Sequence, residues 1–260
     1  MSRRNRGRIK VKKSRNHQKI IIISTIIITF LIFISVIFSL INIGNSKIIK
    51  NVYIGNIEVS GLSQEEAKEK IENILSNNIE IKYNEIEEKI IKRCIHTSAD
   101  FEYLDILKIS ETAVQKIIDA LNNKCTIYTD TNMALSGINK SKLNDLGCEY
   151  KCLVADERTK ELAKEKGITR SMAAVELAMK DEGRKIFVLG NAPTALYKVI
   201  EMFNEGCSVD AVVGVPVGFV GAAESKYSLE QTEIPYIVAE GRKGGSNVAA
   251  AIVNAILYAM

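Results

Sequence analysis

Lys185-Ile-Phe-Val-Leu-Gly-Asn-Ala-Pro-Thr-Ala-Leu-Tyr-Lys-Val-Ile-Glu-Met-Phe-Asn-Glu-Gly206 reads as a buried strand, a short loop and a helix. Residues 185–190 are almost continuously apolar, the pattern of a strand covered on both faces. Pro193 suits the first helical position, where its fixed φ helps and its missing N–H costs nothing. Gly206 ends the helix. The unit recurs on either side. Further apolar segments lie at 125–130, 150–155, 210–216 and 235–240, and helical patterns at 157–166, 169–182 and 246–258. Strands alternating with helices predict an α/β fold: a parallel five-stranded sheet with helices on both faces, in three layers.

In such a sheet a ligand binds beyond the carboxyl ends of the strands. The segments leaving those ends are rich in small and polar residues: 129–132, 155–158, 189–194, 214–226 and 240–247. Helix N-termini after Pro193, Gly221 and Ser246 would point N–H groups at an anion. Several familiar motifs are absent. Residues 241–247 are not a P-loop, no G-x-G-x-x-G opens a helix after the first strand, and no G-x-S-x-G elbow occurs. Nucleotide cofactors and serine-hydrolase chemistry are thereby disfavoured.

The net charge of +4 is unevenly spread. Of 35 Lys and Arg, nine lie in residues 1–19, which hold no Asp or Glu; the remainder has 26 basic against 31 acidic side chains, a net of −5. Nucleic acid is therefore not an expected partner. Only two histidines occur, His17 in the basic tail and His96, so a multi-histidine metal site is excluded and no metal is expected. The five cysteines, Cys94, Cys125, Cys148, Cys152 and Cys207, contain no C-x-x-C pair and read as reduced structural thiols. Residues 20–41 carry no charge and are long enough to span a bilayer, which predicts a transmembrane helix behind a cytoplasmic tail of residues 1–19. On this reading the chain is a single-pass membrane-anchored protein. Residues 52–59 alternate like a strand, and Ser63 with Glu66 forms a helix-capping box.

His96 follows an amphipathic helical pattern that includes Ile86, Ile90 and Ile91, with Arg93 one turn before it and Thr97 and Asp100 after it. An imidazole is the natural proton donor near neutral pH. Arg93 suits a bidentate grip on a ligand carboxylate. Thr169 places Arg170 and Ser171 in the first turn of a helix, and Asn132 closes the first strand-end segment. On the residues alone His96 is a candidate proton donor, with a satisfied structural histidine as the alternative, and Arg93, Thr97, Asn132, Arg170 and Ser171 are candidate substrate-binding residues.

Residues 51–75, NVYIGNIEVSGLSQEEAKEKIENIL, resemble the opening of the peptidoglycan-binding-like module of VanW-type surface proteins, which suggests a small fragment over 47–78. The segments KRCIHTSADFEY (92–103), TDTNMALSGIN (129–139), GITRSMAAVELA (167–178), VLGNAPTAL (188–196), GVPVGFVGAAESK (214–226) and EGRKGGSNVAAAIVNAI (240–256) are collinear. They resemble the precorrin-8X methylmutase family of corrin biosynthesis over about 87–260, within a domain running from 79 to 260. The resemblance implies an isomerase that moves a methyl group from C11 to C12 of a tetrapyrrole without a cofactor. Its substrate would be precorrin-8X or cobalt-precorrin-8. It implies that the family's catalytic histidine falls on His96 and a substrate-contacting arginine on Arg93, and that the protein is a homodimer. For a flat, acid-fringed ring, Met133, Leu135, Val217 and Phe219 are candidates for the ring's face, and Arg242 and Lys243 for its fringe. The family's substrate is made inside the cell, so the resemblance implies a cytoplasmic enzyme, against the export that the anchor predicts. The anchor and the surface-module fragment suggest a competing reading, an envelope protein whose globular part only binds a corrinoid or is inactive.

Overall fold

The computed structural model describes residues 29, 31–33, 47–54, 57–80 and 84–260. The basic tail and, apart from residues 29 and 31–33, the helix expected at 20–41 lie outside the described residues. Among those that are described, no helix is long and apolar enough to cross a membrane. The chain divides into two bodies, one through Glu72 and one from Asn73 onward.

In the first body, β1 (Tyr53–Ile54) and β2 (Ile57–Glu58) pair antiparallel, Tyr53 opposite Glu58 and Ile54 opposite Ile57. The alternating stretch thus pairs with itself instead of running as one strand. Helix α1 (Gln64–Glu80) opens on the expected capping box. The Ser63 N–H donates to the Glu66 carboxylate (2.8 Å) and the Glu66 N–H to Ser63 Oγ (3.2 Å).

The second body runs α2 (Glu85–Ser98), α3 (Tyr103–Ile106), β3 (Leu107–Ile109), α4 (Ala113–Asn122), β4 (Thr126–Thr129), α5 (Asn132–Gly137), α6 (Lys140–Asp145), β5 (Glu149–Lys151), α7 (Glu157–Lys166), α8 (Arg170–Lys180), β6 (Lys185–Leu189), α9 (Pro193–Asn204), β7 (Ala211–Gly214), α10 (Ala222–Glu230), β8 (Tyr236–Ala239) and α11 (Ser246–Ala259). The sheet order is β3-β8-β7-β6-β4-β5. The five expected strands are present and mutually parallel. The expectation of a five-stranded, wholly parallel sheet is corrected by a sixth strand: β3 pairs antiparallel with β8, making the sheet mixed. Only three residues long, with a lysine between Leu107 and Ile109, β3 lacks the apolar run that marks the buried strands.

The period of two along each strand sorts the core into two layers. Ile127, Ile186, Val188, Val213 and Ile237 face one way, into a core shared with α2, α4 and α11. Tyr128, Phe187, Leu189, Val212 and Val238 face the other, against α8, α9 and α10. Helix α11 lies wholly inside the first layer from Val248 to Leu257. Its one amide there, Asn254, accepts from the Asn139 N–H (2.8 Å) and donates to the Gly137 carbonyl (2.8 Å), so α5 docks on α11 without an unpaired polar group.

Candidate active site

The carboxyl edge of the sheet is built around Asp130, which leaves β4 buried. Its carboxylate accepts the N–H groups of Gly190 (2.9 Å), Asn191 (2.7 Å) and Ala192 (2.7 Å). Burial pushes this carboxyl upward, and the three amides pull against that shift. The amides leading into α9 are therefore engaged by the protein's own carboxylate. A side chain at Gly190 would meet the Ser246 backbone at 2.7 Å. One at Gly244 would meet the Val215 carbonyl at 2.1 Å. These glycines let the strand ends and the α11 N-terminus close on one another.

Helix α2 starts on a capping box between Asn84 and Glu87. It buries Ile90, Ile91, Cys94 and Ile95, and this phase leaves Lys89, Lys92, Arg93 and His96 on the outward face. The helix runs one turn further than the sequence pattern suggests, so His96 and Thr97 sit in its last turn. Facing it are Ala255 and Tyr258 of α11, and together these residues line an open groove of about 460 Å³. The Arg93 guanidinium lies 5.3 Å from the centre of the Tyr258 ring, and the Lys142 ammonium lies 5.6 Å from it. Asn139 Nδ2 donates to the Tyr258 hydroxyl (3.0 Å), fixing the ring. Lys89 pairs with Glu85 (2.6 Å) and Lys92 with Glu88. Arg93 has no carboxylate within ion-pair reach among the described residues, which leaves its fork open to a ligand.

The groove brings together His96 and Arg93, with Thr97 half-buried beside them. It adds Lys89, Lys92 and Tyr258, which the sequence reading did not single out. The spacing 89, 92, 93, 96 on an amphipathic helix carries the signal for the two lysines; Tyr258 is brought in only by tertiary packing. The remaining candidates lie elsewhere. Asn132 is the exposed first residue of α5. Arg170 and Ser171 open α8 on the other face of the sheet, where the N-cap Thr169 is in hydrogen-bond contact with Thr194 (3.2 Å). Met133, Val217 and Phe219 are exposed outside the groove, Phe219 at 84%, and the Arg242 guanidinium lies over the Phe219 ring (5.5 Å). Lys243 is bound by Asp100 and Glu102.

The second body is thus a mixed α/β sheet with an exposed histidine in a groove lined by two lysines and an arginine. The family model described as Precorrin-8X methylmutase (CbiC) matches residues 65–259, and the chain belongs to that family. The chain is 57% identical over 174 residues to the cobalt-precorrin-8 methylmutase of Salmonella typhimurium, covering 66% of this chain and 81% of that protein. It is 37% identical over 204 residues to the cobalt-precorrin-8 methylmutase of Methanocaldococcus jannaschii, covering 77% and 92%. Among solved structures, it resembles a precorrin-8X methylmutase related protein at 33% identity and TM-score 0.68, over 72% of this chain and 99% of that one. It also resembles the precorrin-8X methylmutase of Thermus thermophilus at 31% identity and TM-score 0.62, over 72% of this chain and 96% of that one.

The match begins inside α1, within the segment likened to a surface module. The expected localisation, a single-pass membrane anchor, is corrected. No helix among the described residues is long and apolar enough to cross a membrane, and the Salmonella and Methanocaldococcus relatives are cobalt-precorrin-8 methylmutases.

Proposed function

We propose that this chain is the isomerase that moves the methyl group on C11 of precorrin-8X or its cobalt form to C12. The identity to the Salmonella typhimurium enzyme favours the cobalt-containing substrate. The reaction is an intramolecular 1,5-sigmatropic shift: the C11–methyl bond breaks as the C12–methyl bond forms. The product is an isomer, so any proton lent to the macrocycle is matched by one released.

The observation that carries this reading is the juxtaposition of His96 and Arg93 at one groove in a chain of this family. His96 lends the proton that makes the conjugated ring electron-deficient and favours migration, a role worth about 10²–10⁴-fold for a positioned acid. Arg93 grips a peripheral carboxylate through its fork, with Lys89 and Lys92 adding positive potential along the same rim. Thr97 contacts the substrate beside His96. Asn132, Arg170 and Ser171 lie outside the groove of their own chain, so the binding role assigned to them is met in a homodimer whose partner presents these residues to the ring.

The test is incubation of the purified protein with cobalt-precorrin-8 and with precorrin-8X, followed by absorption spectroscopy. Conversion of the cobalt form at the higher kcat/KM is expected. A folded protein that converts neither rejects the reading. His96→Ala should lose at least 100-fold in turnover while still binding the product; equal turnover rejects the proton-donor role. Sedimentation of the protein as a monomer at assay concentration would reject the shared site.

A further inference from the structure

Lys243, expected to hold the substrate's fringe, is engaged by the protein itself. Its ammonium lies 2.5 Å from Asp100 Oδ2 and also bonds the Glu102 carboxylate. These acids form the turn that ends α2. There Ser98 Oγ donates to the Cys94 carbonyl (2.7 Å), the Asp100 N–H donates to Ser98 Oγ (3.3 Å), and the Glu102 N–H donates to Asp100 Oδ1 (3.0 Å). Ala99 sits in the left-handed region at φ 54°. A non-glycine residue persists there only where its surroundings over-determine it.

The other end of Lys243 is held as well. Its carbonyl accepts from the ammonium of Lys226 (2.8 Å), a wholly buried residue of α10. The neighbouring backbone is fastened to the exit of β7: the Gly245 N–H donates to the Val215 carbonyl (2.9 Å) and the Gly218 N–H to the Arg242 carbonyl (3.1 Å). A continuous set of contacts thus runs from α10, through the loop between β8 and α11, to the last turn of α2.

We propose that Lys243, anchored by Lys226, is a positioning residue that fixes the last turn of α2 and so aims the His96 imidazole into the groove. It acts through His96 and not on the substrate. Asp100 lies two residues past the end of α2, and its N–H is bonded to Ser98 Oγ in the last turn, so a hold on Asp100 is a hold on the helix end that carries His96. A shift of about 1 Å at a catalytic group costs up to about 100-fold, so a loosened turn should register in kcat and not in KM.

The inference rests on His96 as the proton donor, and the experiment separates the two. Lys243→Met, Lys243→Arg and the unaltered protein are compared by steady-state kinetics on cobalt-precorrin-8 and by amide hydrogen exchange over residues 95–102. For Lys243→Met we expect kcat about tenfold lower, KM within about twofold, and exchange over 95–102 about tenfold faster. Lys243→Arg, which keeps the charge, should recover most of both. Unchanged exchange in Lys243→Met overturns the proposal. So does a rise in KM with kcat preserved, which would put the ammonium on the substrate. An unaltered protein without turnover would refute the methylmutase reading, and the exchange result would still decide whether the clamp exists.

Discussion

The two faces of the sheet handle charge in different ways. On the face covered by α8 and α9, Glu176 is nearly buried and bound to Lys166 (2.6 Å) and Lys198 (3.2 Å), and Lys198 is bound in turn to Glu201 (2.9 Å). Close by, Asp181 accepts from the Tyr128 hydroxyl (2.5 Å) and pairs with Lys151 (3.3 Å). These ions are satisfied by one another. On the face covered by α2 and α11, the lysines of the groove pair with glutamates one turn back on the same helix, in solvent, and Arg93 pairs with no described carboxylate. The first arrangement holds helices to a sheet. The second leaves cations and an imidazole available to something outside the chain. The difference is the physical ground for proposing the site at the groove: a charge that the fold does not use is free for a ligand.

The largest expected effect comes from the seam where the two faces meet. Gly244→Ala would set a methyl group 2.1 Å from the Val215 carbonyl at φ 155°, a backbone conformation that L side chains rarely adopt. Strain and overpacking together should cost about 4 kcal/mol and lower the melting temperature by about 8–16 °C. Calorimetry of Gly244→Ala against Gly167→Ala checks it. Gly167 also has a positive φ but open space around it, so its loss should be smaller. Equal losses would mean that strain, not the closure of the seam, sets the cost.

Next is the buried ion cluster. Glu176→Gln leaves Lys166 and Lys198 beside a neutral amide, with Glu201 the acid that remains on Lys198, which should cost about 3 kcal/mol by denaturant titration. Groove chemistry should be untouched, with kcat unchanged in the folded fraction. Burial raises the Glu176 carboxyl, but the hydrogen bonds from Lys166 and Lys198 outweigh it and hold the group below the usual carboxylate range. The stability it gives is therefore fully present above its unfolded pKa of about 4.5 and is lost as pH falls through the lowered folded value. Glu176→Gln should flatten that part of the acid limb.

How much of this contrast was legible beforehand depended on the range of the interaction. Strands β6, β7 and β8 are almost wholly apolar runs, such as Ile186–Leu189, and such a run needs no partner to be recognised. Strand β3 was invisible because an edge strand buried on one side leaves only two apolar residues in three. His96 and Arg93 were legible because both lie within one helical turn of the same short segment. Tyr258, Asp130 and Lys226 were not. Tyr258 reaches Arg93 across 165 positions, and no local pattern announces a contact made by packing one helix against another. Asp130 could have been suspected as the lone acid at the end of a buried strand, since such a charge must find donors.

Lys226 sharpens the comparison from a third direction. It is buried with a carbonyl for a partner instead of a carboxylate, and burial pushes its ammonium down to about 8. Between about pH 8 and pH 10.5 the unfolded chain binds the proton that the folded chain has released, so stability should rise with pH across that window, by no more than about 3 kcal/mol. Lys226→Met should remove this rise. A slope that survives in the variant would assign it to another group.

The smallest effect concerns the groove's own ion pairs. Glu85 and Glu88 stand one turn before Lys89 and Lys92, solvent-facing pairs of the kind that add little to folding. Glu85→Gln with Glu88→Gln should leave the melting temperature within about 1 °C of the parent. The same change removes two negative charges from the rim that would meet an acid-fringed macrocycle. KM should therefore fall about twofold at low ionic strength, and the gain should vanish as salt rises to about 0.5 M, where surface charges are screened. A melting temperature that drops while KM stays fixed would show that this face, like the other, uses its charges to hold the fold together.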